Sequence, residues 1–563
     1  MAKKHTHRQV MKRLLSIVAV ALISATAAVA QPTYSEFGGS LVSPANMKYT
    51  DALKFSQQEH TYMSARVAAM GGAFTSLGAD LSSMSINPAG LGMYRTSAFA
   101  ISADLGITTA SNNFAPAGKR QTSFAFNQLG TALNLYQGSG ALVSFTFGFA
   151  YNKLADLNYD ESFGWRDDGV SIGDFFALQM EGFPSSVLSY NSDPFRNENI
   201  YVDEWGGALA YQTALIDPVK DAEGKETGMY TVTGVPSDAA VAGSLRTRSR
   251  GSVGEYSFSS GLNIANILYI GATLGIQDIS QTIRYYYAEN YTQPSNHPAF
   301  LDAMAYAPVE SNYGSGVNFK IGAILRPFSA LRLGVAYHTR TLTTLTRDYG
   351  ARMETWFMPN NTGDPTYYDS ETLINNYTYN YSSPSKLLLG LSYSLGNRAL
   401  VSVDYDIVWN RRMTLQSRYH WEEENFQAGV DGDLGTSHNV RVGVEVVPVS
   451  GVYLRGGYSH YGSPFNSNAE TYADEGGWFY GAYKRSTTNY SLGVGLRFAS
   501  GSVLDFAWTS STARYTDSVL YSFYGEYGTD AGGAPITDEV NSPIVSDTKH
   551  RKSVFTMTYS LLF

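Results

Sequence analysis

The chain of 563 residues contains no cysteine. That absence excludes a disulfide framework, a thiolate metal site, a cysteine nucleophile and a lipid anchor carried on a cysteine behind an export signal. Charge is also scarce: Asp, Glu, Lys and Arg make up 16% of the residues, against ~25% in ordinary soluble domains. Beyond residue 30 no apolar run reaches the ~18 residues that a membrane helix requires. If the chain enters a membrane it must do so as a closed barrel, the other architecture that leaves no backbone group unpaired in lipid.

The first 30 residues read as an address. Lys3, Lys4, Arg8, Lys12 and Arg13 form a basic start, Leu14 to Ala28 is apolar and small, and Ala28-Val29-Ala30 is a cleavage motif. This predicts a secretory signal peptide over 1–30 and a mature chain that begins at Gln31. Removing five basic residues moves the formal charge from 40 − 49 = −9 to 35 − 49 = −14. Nucleic acid is not an expected partner of so acidic an exported protein.

What is abundant is Gly (54), Tyr (41) and Phe (28). The segment 399–410 shows why: Ala399, Val401, Val403, Tyr405, Ile407 and Trp409 alternate with Leu400, Ser402, Asp404, Asp406, Val408 and Asn410, one face fit for lipid and the other mostly for water. The same period of two recurs at 141–151, 440–446 and 490–498, and the chain stops on Phe555, Met557, Tyr559, Leu561 and Phe563 at every second position. Strands of about ten residues, apolar on one face and small or polar on the other, predict an all-β transmembrane barrel. Starts near Thr96, Thr122, Ala141, Gly251, Ile267, Ser311, Leu331, Tyr377, Ala399, Ser437, Val452, Ser486, Ser502 and Lys552 count about 14 antiparallel strands. Six tight connections alternate with seven long polar ones, so both chain ends face the periplasm. The longest insertion is expected at about 154–250, as an extracellular cap whose own apolar cluster draws on Trp165, Phe175, Phe176, Phe183, Trp205 and Tyr211.

A barrel that wide is not filled by its own wall side chains. Residues 31–95 are the sizeable part of the mature chain outside strands and external loops, and they are assigned to a plug that starts on the periplasmic side; residues 96–563 form the barrel. Within the plug, Gly71-Gly72 permits sharp backbone and Pro88 stiffens a turn whose Ala89 and Gly90 fit against a wall. The competing reading makes Asn87-Pro88-Ala89-Gly90 a simple turn into the first strand.

The stretch "ARVAAMGGAFTSLGADLSSMSINPAGLGMYR" resembles the N-terminal hatch of the FadL-type outer-membrane channels for long-chain fatty acids and other hydrophobic compounds. "GVNFKIGAILRPFSALRLGVAYHTRT", "PSKLLLGLSYSLGNRALVSVDYDIVW" and "ALVSFTFGFAYNKLADLNYD" are similar to that family's barrel hairpins and third strand. The resemblance implies passive uptake of an apolar small molecule, a hydrophobic pocket in the lumen, a hatch gated around Asn87, Pro88, Ala89 and Gly90, and lateral release at a kink in the third strand. Gly148 is the candidate for that kink, or else a glycine that makes room for the plug. Outer-membrane lipid, lipopolysaccharide and the barrel assembly machinery are the other expected partners.

Alternation points Lys320, Arg326, Arg332, Arg340, Asp404, Asp406, Arg441, Glu445, Arg455, Arg497 and Asp505 inward. Arg340, Arg455 and Arg497 are the candidates for holding a ligand carboxylate, and mutual ion pairing is the competing role. Asp404/Asp406 and Asp431/Asp433 lack the ligand count of a Ca²⁺ site, and no Ser/His/Asp arrangement stands out. Neither a metal, a cofactor nor an enzymatic activity is expected. Two alternatives remain: a haem or porphyrin receptor, with His338 as axial ligand, and a surface adhesion or structural protein that works through its external loops.

Overall fold

The computed structural model describes residues 47–112, 118–167, 171–235, 240–292, 300–359, 366–467, 469, 483–499, 501–516, 522–529, 535–541 and 548–563. The expected signal peptide and residues 31–46 of the plug lie outside them.

Alternation becomes a closed wall of 14 antiparallel strands. They are β1 (Ala98–Ser111), β2 (Lys119–Gln137), β3 (Leu142–Asp156), β4 (Ala240–Ile264), β5 (Leu268–Thr292), β6 (Leu301–Phe328), β7 (Leu331–His338), β8 (Ser385–Leu395), β9 (Ala399–Trp409), β10 (Thr436–Val449), β11 (Val452–Tyr461), β12 (Tyr483–Arg497), β13 (Ser502–Thr516) and β14 (Thr548–Leu562). Each pairs with its sequence neighbour, and β14 closes on β1, from Leu562 opposite Ala98 to Lys549 opposite Ser111. The terminal residues Phe555, Met557, Tyr559, Leu561 and Phe563 all point outward, where lipid rather than protein covers them. Closure leaves no free edge at the junction of the first and last strands.

The tight turns fall where the alternation breaks. Between β4 and β5, Ala265 and Asn266 both adopt positive φ, 53° and 58°. This is the left-handed geometry that matches hairpin twist, and the Asn263 side chain ties it by accepting from Asn266 N at 3.0 Å.

Several strands outrun their expected ends. β4 begins at Ala240 rather than near Gly251, β6 at Leu301 rather than Ser311, and β3 is continued by Tyr159–Asp167. Above the membrane the outward face meets water, so the pattern inverts: Val241, Leu245, Thr247 and Ser249 are buried while Arg246, Arg248 and Arg250 are exposed. A rule that seeks apolar residues outside passes over such a strand. The ladder itself continues, Ala240 opposite Thr292 through Ile264 opposite Leu268.

The tall strands carry the cap. Helices Ile172–Gln179 and Trp205–Gln212 bury Phe175, Phe176, Trp205 and Leu209 against Phe163, Trp165, Tyr287, Tyr306 and Met353 of the strands, with Phe183 and Tyr211 packed at the margin. Two acids sit inside this apolar mass. Burial pushes the Glu204 carboxyl up to about 7, against the pull of the Tyr201 N–H that it accepts at 2.8 Å. Burial also raises Asp174 to about 6, opposed by its bond from Ser171 N and helped by the Glu289 charge.

An acid whose folded pKa lies above its unfolded value binds more protons when folded, so stability falls as pH rises between the two values. For Glu204 that window runs from about 4.5 to about 7, and for Asp174 from about 3.8 to about 6. Amide hydrogen exchange over 172–212, normalised for intrinsic rates, should show a cap better protected at pH 5 than at pH 8. Glu204→Gln should remove most of that difference, and a cap equally protected at both pH values would contradict the burial argument.

Candidate functional site

The described plug residues fill the lumen: from His60 to Leu91 nearly every residue is buried, with Asp80 and Ala79 among the few exceptions. The seal forms because the wall opposite the plug is glycine. A side chain at Gly271 would overlap the Pro88–Ala89 backbone, at Gly322 the Asn87 amide, at Gly334 or Gly390 the Thr75–Ser76 segment, and at Gly443 or Gly457 the Met70–Gly71 backbone. Gly271 stands opposite both Gly261 and Gly322, and Gly334 opposite Gly390, so these positions form a belt at one level. The plug's backbone therefore lies directly on the wall's backbone.

Polar side chains fasten this contact. Asp404 Oδ2 accepts from Phe74 N (2.7 Å), Thr75 N (2.8 Å) and Thr75 Oγ1 (2.7 Å). Arg441 lies 3.5 Å from that oxygen and forks onto Asp406, with Nη2 2.6 Å from Oδ1. Ser85 donates to Glu255 at 2.8 Å, and Lys320 pairs with the same carboxylate. Asn87, the first residue of the quoted turn, donates to Thr75 O at 2.7 Å and accepts from Ala89 N at 3.1 Å, holding two arms of the plug together. Pro88 then opens the short helix Pro88–Met93.

The arginine candidates separate. Arg455 is buried between Glu445 and Asp505, 2.6 Å from each. Arg340 and Arg497 are exposed, which corrects the inward orientation inferred from alternation: β7 stops at His338, before Arg340, and Arg497 ends β12 at the tight-turn rim. His338 is buried with Nε2 2.8 Å from Ile86 O, so that nitrogen donates to the plug. Through that nitrogen it fastens the seal. Asp404 and Asp406 are likewise spent on the plug and Arg441, and Asp433 accepts from Tyr49.

Above the belt the lumen changes character. The helix Tyr49–Ser56 lies at the long-loop end, beside the helix His420–Asp433, with Asp51 2.9 Å from Arg347. Leu53 and Phe55 of this helix, Val253, Ile279, Leu345, Tyr379 and Leu415 of the wall, and Met413, Phe426 and Val430 above them form one apolar cluster. Alternation had promised a polar interior. Beside the helix a cavity of about 70 Å³ remains, lined by Leu53, Gln58, Glu59, Lys386, Asn410 and Tyr461.

That cluster also contains Leu154, Ala155 and Leu157, where the wall opens. The ladder runs unbroken through Gly148, with Ala132 on one side and Ser259 on the other, and Met84 of the plug occupies the space a side chain there would need. Gly148 thus makes room for the plug. The departure comes later: pairing with β2 ends at Asn152 opposite Gln128, although β2 continues to Lys119. From Asn152 to Ala155 four consecutive residues are buried, as β3 parts from β2 while a bulge between Lys153 and Ala155 keeps it paired to β4 as far as Asp156 opposite Ser252. The continuation Tyr159–Asp167 stays paired to β4 but reaches past β2, with Ser162 O accepting from Asn112 and Glu161 2.9 Å from His550. Lys153 (to Asp104 and Asp156) and Lys552 (to Asp156, 2.8 Å) tie the bend to β1 and β14. On the unpaired flank of β2, Phe124 and Phe126 are 66% and 59% exposed, more than the other phenylalanines of the wall except Phe563.

Asp404→Ala strips three plug donors and Arg441 of an acceptor, a loss of roughly 3–5 kcal/mol for a buried charged network; Asn87→Ala, which removes neutral bonds, should cost about 1–3 kcal/mol. Both variants should still run as heat-modifiable barrels while admitting large polar antibiotics faster than wild type, Asp404→Ala more so. Unchanged influx per folded barrel in both would mean that the plug does not depend on these fasteners.

No family model and no curated protein matches the chain. Among solved structures it is similar to a Pseudomonas aeruginosa FadL homologue, at 11% identity and TM-score 0.47 over 90% of this chain and 98% of that one. It is also similar to the Ralstonia pickettii toluene transporter TbuX (14% identity, TM-score 0.44, 89% and 98%) and the Pseudomonas putida toluene transporter TodX (14%, 0.45, 89% and 98%).

Proposed function

We propose that the protein is an outer-membrane channel for passive uptake of hydrophobic compounds, long-chain fatty acids among them, gated by residues 31–95 and discharging sideways into the membrane. The observation that carries this reading is the continuity of one apolar cluster from the loop end of the lumen, past the Tyr49–Ser56 helix, to Leu154 and Leu157 at the unpaired β2–β3 seam. Burying apolar surface at ~25 cal/mol per Å² gives an apolar solute a downhill course along such a lining, whereas a polar solute meets the sealed belt below.

Gating follows from volume. Ligand pockets for drug-sized molecules run to about 300–1,000 Å³, and the cavity beside the helix holds about 70 Å³. For a ligand to occupy this place the helix has to yield, and the bond from Glu59 N to Leu154 O at 3.0 Å would couple that motion to the seam. The Asn87-Pro88-Ala89-Gly90 turn, seated on glycine, acts as the fixed end against which the upper plug moves. Energy input is not required, since the final solvent is the lipid itself.

Because the sequence has no cysteine, a pair at Phe126→Cys and Leu154→Cys is the sole thiol pair and can be bridged across the seam by a short reducible cross-linker. Cells carrying the bridged protein should lose most of their uptake of radiolabelled oleate and of toluene and recover it on reduction. Full uptake by a protein shown to be bridged would falsify sideways discharge.

A further inference from the structure

A hollow of about 760 Å³ opens on the lipid-facing wall and reaches inward as far as Met413. It arises because neighbouring strands break at the same height. β7 stops at His338 and resumes at Leu342–Phe357, β8 is preceded by Asn375–Ser382 across Ser383-Pro384, and β9 ends in the turn Asn410–Arg412. The floor continues the apolar belt: Leu274, Val317, Phe319, Tyr337 and Leu342 are exposed, Leu342 at 66%. Its rim also carries cations.

Arg340, Arg411 and Arg412 line the rim, and no acidic side chain lines the hollow. Their contacts are to neutral groups. Arg340 Nη1 donates to Arg412 O (3.2 Å), Arg411 Nε to Leu434 O (2.7 Å) and Arg412 Nη1 to Ser385 Oγ (3.5 Å), while the Arg412 guanidinium stands 4.9 Å over the Trp409 ring. Among the described residues none of the three has an ion pair. Three cations held together without an anion are mutually repulsive, and a phosphate offers each of them charge-assisted bonds. Tyr337 and Trp409 stand at this level, where aromatic girdles mark the membrane–water boundary.

We infer that this hollow binds a phosphate-bearing lipid of the outward leaflet, its acyl chains lying on Leu274, Val317, Phe319 and Leu342 and its phosphate on Arg340, Arg411 and Arg412. Apolar side chains and arginines without an acidic partner thus stand side by side on the lipid-facing wall, within reach of one lipid's chains and phosphate. The hollow meets the proposed transport lining at Met413, but none of the residues assigned to the lipid belongs to that lining, so failure of this site would leave the uptake reading untouched.

The test uses the full-length barrel purified in a non-ionic detergent, with native mass spectrometry reading its binding of diphosphoryl lipid A, dephosphorylated lipid A and phosphatidylcholine. The wild type should prefer the diphosphoryl lipid. The triple variant Arg340→Gln, Arg411→Gln, Arg412→Gln should bind it on the order of a hundredfold more weakly, while the corresponding triple Lys variant keeps most of the affinity. Phe319→Ser with Leu342→Ser should weaken all three lipids together. Heat-modifiable migration confirms that each variant is a folded barrel. Equal affinity of wild type and triple Gln variant for the diphosphoryl lipid, or no preference of the wild type among the lipids, overturns the inference. Displacement of the bound lipid by millimolar inorganic phosphate also overturns it, since it would mark a site for free anions.

Discussion

A 14-strand barrel satisfies its backbone in lipid only by closing, and once closed it encloses more space than its own side chains can fill. Everything else about this protein answers that constraint. The plug is the material that fills the lower lumen, and the glycine belt from Gly261 round to Gly457 is the wall's concession to it. The buried charges then fasten plug to wall in two ion-paired groups, Asp404 with Arg441 and Glu255 with Lys320.

The interior has two solvents. Below and around the belt, the fasteners are hydrogen bonds and ion pairs, which a barrel wall supplies readily from its inward positions. Above it, Val253, Ile279, Leu345, Tyr379 and Leu415 turn the same inward positions apolar. The plug's upper helix sits among these apolar side chains, whereas its lower turns are held by the polar fasteners.

The seam between β2 and β3 is the costliest feature of the wall. From Lys119 to Asn127, β2 pairs with β1 alone, and lipid supplies no partners for the other edge. The bend in β3 takes over the lost cohesion through Lys153, Asp156 and Lys552, a cluster that crosses behind β2. A break so expensive, placed where an apolar lining reaches the wall, is the strongest physical reason to look for passage there.

The barrel, its strand number, its closing strand and the presence of a plug were legible in the sequence, because lipid on one side and a small or polar lumen on the other write a period of two into each stave. The cap's aromatic cluster was legible for a similar reason, since aromatics in a long polar insertion have to bury together. What escaped were features set by partners distant in sequence. The extended ends of β4 and β6 lost the lipid-facing signal where water replaced lipid. Gly148 read equally as a kink or as room for the plug, because a lone glycine in a strand looks the same in both roles, and only the fold sets Met84 against it. The recurrence of an inward glycine in successive strands was the available signal for the plug's contact surface. The outward exposure of Arg340, the apolar upper lumen and the seam at Asn152 were decided only in three dimensions. Each depends on where one strand stops relative to another, and local alternation carries no information about the height of a neighbour.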